Sequence, residues 1–465
     1  MITDRCRVGR MTIDVLSEDV LIYIFNAYRR GFKDYWNYLF WPWKVLIHVC
    51  QRWRRIIFAW PYHLDVRVDC GSRTHVAKAL DVWPGLPIGI WPALRHEDWD
   101  DIIAVALEHR DRMARIHLSN LTRSRLERCT ALMQGPFPVL RHLSLSYYSA
   151  KDPPVITDTF LGGSAPSLRR IELSRIPFPT LPKFLLSARD LVKLHLKEIT
   201  STGYISPEAM VTCLAMLTRL QSVVILFKST ESFPNRKGHN IPSLPRVVLP
   251  VLTLFEFEGI CEYLEDLLVR FDAPLLTNLT LRFFCEPTFD IPQLPHFIRC
   301  TEKFKVPTDV EVHFDHYSLR VDVYLPCPVD GNILLQFERS GLDGQLSLLE
   351  QVCTQCFFFS HVDGLELFRD GGPKPDQQNS ELWLGFLRPF NAVKILYFFD
   401  EEIEIQVARV LEDFTGERTA EVLPMLHTLV LKEVDWAEPP ATPLLKPFID
   451  SRRLWGRPVT VYWRF

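Results

Sequence analysis

Two cysteines separated by two residues, Cys353 and Cys356, are the pair in this sequence best suited by type and spacing to metal binding or redox chemistry. A structural zinc ion needs four ligands, and the nearby His361 does not complete a set because the sequence holds no second pair of this spacing. A redox pair of the thioredoxin type would open a helix, whereas these cysteines end a predicted helix. We therefore predict two buried thiols.

Histidines and carboxylates form the remaining groups that could support chemistry. His313 and His316 are predicted to lie on one strand, where residues three apart point to opposite faces, which argues against a shared metal ion. The acidic runs at 98–101 (DWDD) and 400–404 (DEEIE) are predicted to be helix starts and a solvated charged face. Phosphate-binding loops and the GxSxG and HExxH motifs are missing from the sequence. We predict no catalytic residue, no metal site and no cofactor, so the chain is not expected to be an enzyme.

The chain that carries these groups has 465 residues, a formal net charge of −3 and 47% hydrophobic residues. This length exceeds one compact core, so two domains or an elongated repeat structure is expected. The small net charge excludes a strongly basic protein, so neither nucleic acid nor a membrane surface is an expected partner.

The cysteines and the apolar runs bear on the compartment. Eleven cysteines are scattered without disulfide-like spacing, as in proteins that keep their thiols reduced. No apolar run reaches the length of a membrane span, and the charged residues 1–19 lack the apolar core of a secretory signal. We expect a cytoplasmic or nuclear protein, or one present in both compartments.

Nine segments of the chain share apolar residues at their first, fourth and sixth positions. The first seven begin 23 to 32 residues apart, which is the period of leucine-rich repeats with one strand per repeat. Stacking would join their leucines into one core. We predict an α/β fold over residues 60–465: an irregular leucine-rich-repeat solenoid with a parallel sheet on its concave face and helices or turns on its convex face. The segments are 113–121, 140–148, 168–176, 191–199, 220–228, 252–260, 276–284, 362–370 and 426–434.

The repeat register is lost between residues 285 and 360. Residues 308–314 and 317–325 alternate apolar and polar side chains, so we predict a hairpin there. Residues 345–356 are predicted to form a helix.

The third, fifth and seventh positions of each segment are predicted to point away from the core. The early repeats place basic residues there, and the sixth places Glu256 and Glu258. We hypothesise that a target protein with an acidic patch binds the basic part; the alternative is an ordinary solvated sheet face. The candidate substrate-binding residues are Arg115, His117, Arg170, Lys193, His195 and Lys197.

Residues 13–59 are predicted to form a small helical domain. Ser17 is a typical N-cap for a helix beginning at Glu18. A second helix is predicted over 43–59, stopped before Pro61, and an aromatic insert covers 31–44. Two or three short helices cannot bury this many aromatic residues, so part of their surface must pack on the next domain or on a partner.

This segment resembles an F-box. Its matching residues are the run Leu16-Ser17-Glu18-Asp19-Val20-Leu21, then Ile24-Phe25, and later Val49-Cys50-Gln51-Arg52-Trp53-Arg54. The family motif has proline where this chain has Ser17, and the insert is longer than is usual. The whole chain, with its F-box followed by leucine-rich repeats and its tryptophan-rich and proline-rich texture, resembles the large F-box families of mushroom-forming fungi.

The resemblance implies a substrate-recognition subunit of an SCF-type cullin-RING ubiquitin ligase. The F-box would bind a Skp-type adaptor, and through it a cullin, while the repeats would bind a target protein. The adaptor contacts implied by the motif are Leu16, Ser17, Val20, Val49 and Trp53.

Two alternatives remain open. The chain could be a repeat scaffold outside any ligase, whose F-box-like helices only cap the solenoid. An enzyme with an unrecognised site is the third class, and it rests only on the cysteine and carboxylate clusters.

Overall fold

The structure of the protein, a computed structural model, is a mixed α/β fold built on one large, mostly parallel sheet. This confirms the predicted α/β class. Residues 31–41 of the predicted insert and Asp98 of the first acidic run lie outside the residues that the structure describes. The described residues are 13–30, 42–61, 64, 67–70, 85–91, 99–149, 152–234, 246–284, 291–326, 331–370, 380–432 and 442–464.

Three helices make up the described N-terminal segment: α1 (Glu18–Arg30), α2 (Pro42–Ile47) and α3 (Gln51–Ala59). The Ser17 hydroxyl accepts a hydrogen bond from the Val20 N–H at 3.4 Å, so the predicted N-cap is confirmed. The single helix predicted over 43–59 is wrong. Cys50 interrupts it with extended backbone (φ −158°, ψ 169°), and its sulfur caps α3 by accepting the Trp53 N–H.

The main sheet has sixteen strands within the described ranges, and its strand order follows the chain except in one region. Across the sheet the order is β1-β2-β3-β4-β5-β6-β7-β9-β11-β14-β13-β12-β15-β16-β17-β18, and β8 pairs with β10 separately. The strands are β1 (Val68–Cys70), β2 (Ile88–Ile90), β3 (Met113–Leu121), β4 (His142–Tyr147), β5 (Arg170–Ser174), β6 (Lys193–Ile199), β7 (Ser222–Phe227), β8 (Val247–Val248), β9 (Leu254–Gly259), β10 (Phe271–Asp272), β11 (Asn278–Phe283), β12 (Asp309–Asp315), β13 (Ser318–Tyr324), β14 (Asn332–Glu338), β15 (Gly364–Asp370), β16 (Ile395–Phe398), β17 (Thr428–Lys432) and β18 (Thr460–Arg464).

The periodic apolar residues explain these strands. Each of the nine predicted segments contains one strand of the sheet, and its first, fourth and sixth residues are at most 4% exposed. The fourth and sixth residues lie two apart on a strand and therefore share a face. The first residue precedes or begins the strand and packs into the same core. The nine predicted strands are confirmed.

A bulge explains why some segments bury a ninth residue. On a straight strand, residue nine would point away from residue six. Asn120 and Glu198, the eighth residues of their segments, adopt left-handed backbone with φ of 53° and 51°. The pairing register shifts at both places, which is the signature of a bulge. The extra residue resets the alternation, so Leu121 returns to the core at 1% exposure.

Three strands interrupt the parallel order. β12, β13 and β14 form an antiparallel meander inserted in reverse, so that β14 pairs in parallel with β11 and β12 pairs in parallel with β15. The hairpin predicted from residues 308–325 is the β12–β13 pair and is confirmed. The reversal is the physical reason that the repeat register is lost here.

Helices connect most of the strands, and most of these helices contact the next helix along the chain. Their buried residues join those of the strands in one core. Side-chain caps start several of them, as where Asp400 accepts the Glu402 and Ile403 N–H groups at 3.1 Å. These helices are α4 (Trp99–Leu107), α5 (Arg123–Leu132), α6 (Leu181–Leu185), α7 (Pro207–Leu214), α8 (Cys261–Leu268), α9 (Gln293–Cys300), α10 (Leu342–Gln355), α11 (Ser380–Leu387), α12 (Glu401–Glu412) and α13 (Thr442–Leu454).

Short 3-10 turns complete the described secondary structure. They are Ile13–Val15, Phe160–Gly163, Ser201–Gly203, Thr230–Ser232, Glu302–Phe304, Phe357–His361 and Gly416–Ala420.

The acidic run at 400–404 is only partly what the sequence predicts. Asp400 starts α12 as expected, but Glu404 is 1% exposed and is therefore not on a solvated face. The helix turns this side chain toward the core together with Ile403 and Val407. Burial, helped by the nearby Glu401 charge, raises the pKa of Glu404 to about 7.

Glu404 makes the stability of the protein pH-dependent. Because its pKa is about 7 in the folded protein and 4.5 ordinarily, the folded state holds a proton that the unfolded chain releases between these values. Stability therefore falls as the pH rises through this window. Glutamine cannot ionise, so the Glu404→Gln variant should lack this pH dependence. We expect the change in unfolding free energy caused by the substitution to be about 2–3 kcal/mol more stabilising at pH 8 than at pH 5. Denaturant unfolding at both pH values measures this difference; an equal effect at both would contradict it.

Candidate functional site

Two surfaces carry the side chains that the sequence singled out: the N-terminal helices and the accessible side of the sheet. On the helices, Val20 and Val49 are exposed at 43% and 54%. Ser17 is exposed and caps α1. Leu16 and Trp53 are partly buried and pack against the core. The five predicted adaptor contacts thus divide into three accessible and two partly buried residues.

Trp53 and Leu16 hold the helical segment together. The Trp53 ring lies edge-on to Phe25, with 4.8 Å between ring centroids. Arg52 donates a hydrogen bond from Nη2 to the Leu16 carbonyl at 2.5 Å, which ties the start of α1 to α3. Arg54 does the same between α3 and α2, donating to the Ile47 carbonyl at 3.0 Å. These contacts give Trp53 a packing role within the segment.

The helix α1 presents apolar residues on both of its sides. Leu21 and Phe25 are buried at 0% and 2% exposure. Val20, Tyr23 and Ile24 form an exposed row that we call the α1 stripe, with exposures of 43%, 70% and 37%. Their spacing of three and four residues places them on one face of a helix. The prediction missed Tyr23 and did not assign Ile24 to adaptor binding, although this spacing was visible in the sequence.

The accessible side of the sheet, here called the open face, is formed by the residues that alternate with the buried ones on β3 to β16. On β3 to β6, Arg115, His142, Arg170 and Lys193 are direct neighbours in the pairing register. We call these four residues the basic row. Of the predicted substrate-binding residues, Arg170 and Lys193 lie side by side on β5 and β6, with His195 and Lys197 further along β6. Arg115 and His117 on β3 are separated from them by β4.

Two histidines sit beside the basic row. The His117 ring stacks on Trp91 at 3.8 Å, and His195 Nε2 lies 2.8 Å from the Ser222 hydroxyl. Burial lowers the pKa of both histidines, and Glu172 opposes this shift while the neighbouring cations add to it. Both side chains are therefore neutral at pH 7, so they contribute hydrogen-bonding groups and no charge.

Part of the predicted basic charge is compensated within the sheet. Lys197 donates to Glu172 at 2.8 Å, and this interaction keeps the pKa of Glu172 below its ordinary value despite burial. Lys197 is therefore engaged within the sheet.

An acidic group occupies the middle of the open face. Glu256 and Glu258 lie on β9, and Arg282 on β11 forms an ion pair with Glu256. Burial raises the pKa of Glu258, and the carboxylates of Glu338, Glu256 and Glu198 raise it further against the effect of Arg282. The summed negative charge of these carboxylates exceeds the single positive charge of Arg282, so this part of the open face is negative.

Among the described residues, Glu311, His313 and Asp322 bring three possible metal-ligand atoms within 4.8 Å of one another on the reversed meander. Their atoms already have partners. Arg320 donates two hydrogen bonds to Asp322, at 2.6 and 3.0 Å, and Tyr324 donates one to Glu311 at 3.0 Å. A metal ion would have to displace Arg320, so the geometry favours a closed polar network.

The other chemical candidates have structural explanations. Cys353 and Cys356 are buried at the end of α10, and burial raises the pKa of Cys356 to about 12 and that of Cys353 well above its ordinary value. The prediction of two buried thiols is confirmed. His316 lies in the bend after β12, so placing it on the same strand as His313 was wrong.

No model of a known protein family matches this chain, and no curated protein matches it either. The site must therefore be interpreted from its geometry. Within the described ranges, no helix combines the length and the apolar character needed to cross a bilayer.

Proposed function

We propose that this protein is a substrate-recognition subunit of an SCF-type cullin-RING ubiquitin ligase, with an F-box formed by residues 13–59 and a leucine-rich-repeat solenoid formed by the remainder. It binds a Skp-type adaptor through its N-terminal helices and a target protein through the open face. The chain carries no catalytic residue of its own in this proposal, since ubiquitin transfer takes place on other subunits. Its contribution is to hold the target close to the transfer enzyme.

The observation that carries the proposal is the α1 stripe. A short helix whose buried side is already satisfied by Leu21 and Phe25 has no internal use for exposed Val20, Tyr23 and Ile24. The stripe coincides with the Leu16–Phe25 half of the F-box resemblance, and Val49, from the other half, is also exposed. Apolar side chains of this kind anchor protein interfaces.

A second observation supports the repeat half of the proposal. The nine strands with buried first, fourth and sixth residues stack their apolar side chains into a continuous core, as repeat proteins do. The open face that results is long, half-exposed and rich in charged side chains, which suits the binding of a protein segment.

One feature favours the alternative of a scaffold outside any ligase. Ile56 and Ile57 of α3 are buried in the same continuous core as the strands, so the N-terminal helices also fit the role of a cap. Capping and docking use different surfaces, because Ile56 and Ile57 are buried while the α1 stripe is exposed.

Co-expression of the full chain with a Skp-type adaptor, followed by affinity purification and size-exclusion chromatography, tests the proposal. We expect one complex with equal amounts of both proteins, which then takes up a cullin. A folded chain that elutes without the adaptor would overturn the proposal and leave the cap as the role of residues 13–59. Circular dichroism of the purified chain separates this outcome from misfolding.

A further inference from the structure

We propose that the free edge of β18 binds an extended, acidic polypeptide segment, which adds to the main sheet as a further strand. β18 (Thr460–Arg464) is the last strand in the order of this sheet, and within the residues that the structure describes it pairs only with β17. This edge is distinct from the α1 stripe and from the basic row, so it can be tested independently of the proposed function.

The backbone of β18 directs two residues away from β17. The Thr460 N–H donates to the His427 carbonyl at 2.9 Å, and the parallel register continues through Tyr462. In a parallel ladder alternate residues bond to the same neighbour, so the N–H and C=O groups of Val461 and Trp463 point outward. They form a short row of donors and acceptors whose spacing an added strand matches.

The core is incomplete at this edge. Trp463 pairs with Leu431 of β17, so its side chain lies on the core side of the sheet. Leu431 is 0% exposed, whereas Trp463 is 39% exposed, because β17 has a strand on each side and β18 has one on a single side among the described residues. Val461 shares the core side and is also only partly buried. An added strand with apolar residues on this side would cover both, as each following repeat does within a solenoid.

Further apolar side chains are exposed around the edge. Tyr462 lies on the opposite side of β18 from Trp463 and is 57% exposed. Leu454 and Trp455, in the turn that joins α13 to β18, are exposed at 86% and 53%. Four large apolar side chains exposed within ten residues exceed the single, scattered ones of an ordinary surface and indicate an interaction site.

Charge complementarity selects an acidic segment. Residues 442–464 hold five basic residues and one acidic residue, Asp450. Arg453 is exposed and has no ion-pair partner among the described residues. Arg452 donates only to backbone carbonyls; burial lowers its pKa to about 10, and the nearby charge of Arg457 adds to this effect. A carboxylate at the end of the bound segment would offset these positive charges.

A second copy of the chain and an anionic membrane are less favoured occupants. Pairing β18 with its counterpart in a second copy would bring together two segments that each carry five basic residues and one acidic residue. Lipid phosphates would offset the charge, but they accept hydrogen bonds and do not donate them, so they leave the outward carbonyls of Val461 and Trp463 without donors. A polypeptide strand supplies donors, acceptors and carboxylates together.

Fluorescence polarisation with the purified full chain tests the inference. The probe is a labelled synthetic peptide of alternating valine and threonine with two aspartates at each end. One comparison peptide has lysines in place of the aspartates, and another has proline in place of the central valine, which removes a backbone donor. We expect the first peptide to bind at least about tenfold more tightly than either comparison peptide. Equal binding of the three peptides would overturn the inference.

Proline at position 461 tests the backbone contact on the protein. Val461→Pro removes an N–H that points away from β17, so the β17–β18 hydrogen bonds remain. Val461→Ala shortens the same side chain but keeps that N–H. The proline variant should bind the aspartate peptide about tenfold more weakly than the alanine variant, with equal hydrogen exchange of Thr428–Lys432 in both. Equal peptide binding by the two variants would exclude the edge as the site.

Charge reversal tests the acidic requirement and leaves the strand unchanged. Arg453→Glu should weaken binding of the aspartate peptide about tenfold and strengthen binding of the lysine peptide. The control Arg189→Glu makes the same change at an exposed residue in the turn before β6 and should leave both affinities unchanged. An unaltered Arg453→Glu variant, or an equal effect of the control, would contradict the charge match.

Two other results would assign the edge to a different occupant. Analytical ultracentrifugation of the full chain would show a dimer that Val461→Pro dissociates, if a second copy pairs with the edge. Vesicles of phosphatidylcholine and phosphatidylserine in equal parts would sediment the wild type and not Arg453→Glu, if a membrane binds there. Either result would overturn the assignment to a polypeptide segment.

Discussion

Replacing Val20 and Ile24 together by aspartate is expected to abolish capture of a Skp-type adaptor while the chain remains folded. Both side chains are exposed, so their substitution leaves the core of the helical segment intact. Since Val20 and Ile24 are 43% and 37% exposed, burying the remainder of each on a partner contributes about 1 kcal/mol, and each unpaired aspartate in the interface adds a desolvation cost of about 1–3 kcal/mol. The loss of affinity should therefore reach at least about 100-fold, measured by isothermal titration calorimetry against the adaptor.

A matched control separates docking from general effects of added charge. Val155 and Val306 are exposed at 51% and 65% outside the N-terminal helices, and the double substitution of these residues by aspartate adds the same charge. This control should bind the adaptor as the wild type does. Undiminished capture by the α1-stripe variant, or an equal loss in the control, would contradict the docking role of the stripe.

The Trp53→Ala variant should behave differently from the stripe variant. Trp53 packs on Phe25 inside the segment, so its removal should destabilise α1 and α3 as well as weaken adaptor binding. A loss of helical circular dichroism is therefore expected for Trp53→Ala and is not expected for the stripe variant.

Arg452→Met is expected to cause a large loss of stability, although it removes only one charged side chain. Arg452 is 1% exposed and donates hydrogen bonds to four backbone carbonyls. Nη1 reaches those of Thr419 and Leu423 at 3.0 and 3.2 Å, and Nη2 reaches those of Pro424 and Leu426 at 3.1 and 2.7 Å. Burial lowers its pKa to about 10, so the guanidinium remains charged at pH 7.

Methionine would remove the guanidinium donor from all four carbonyls. The Leu423 carbonyl still accepts from the Leu426 N–H at 3.0 Å and that of Pro424 from Arg457 Nη1 at 3.4 Å, so the main loss is at Thr419 and Leu426, at a cost of about 3–5 kcal/mol. The carbonyls belong to the segment that leads into β17, so amide hydrogen exchange of Thr428–Lys432 should accelerate by a factor of about 150 to 4,000. Arg453→Met, which changes the exposed neighbour, should stay within about 0.5 kcal/mol of the wild type. Equal exchange rates in the two variants would show that the carbonyls do not depend on Arg452.

The strands and the side of the sheet that each residue occupies could be predicted from the sequence. Segments such as 140–148 and 191–199 repeat an apolar residue at fixed positions, and on a strand this spacing decides which side chains share a face. The start of α1 at Glu18 was likewise encoded locally by Ser17. Five strands of the main sheet were not predicted: β1, β2, β14, β16 and β18. For β16 the signal was present, because Val393, Leu396 and Phe398 have the same spacing and are buried.

The location of the meander required the tertiary structure. Residues 308–325 predicted a hairpin, but nothing in them specified that β14 would pair with β11 and β12 with β15. Strand partners are chosen by contacts between residues far apart in the chain, and a local pattern does not contain those contacts.

The candidate sites divide in the same way. The sequence by itself determined which residues lie on the open face and on α1, because the periods of strands and helices are local properties of the chain. Only the tertiary structure decided that Arg170 and Lys193 lie side by side, that Lys197 pairs with Glu172 and that Glu404 is buried. Repeats of unequal length reach a common register only when they stack, and a helix face becomes buried only when a neighbouring element covers it.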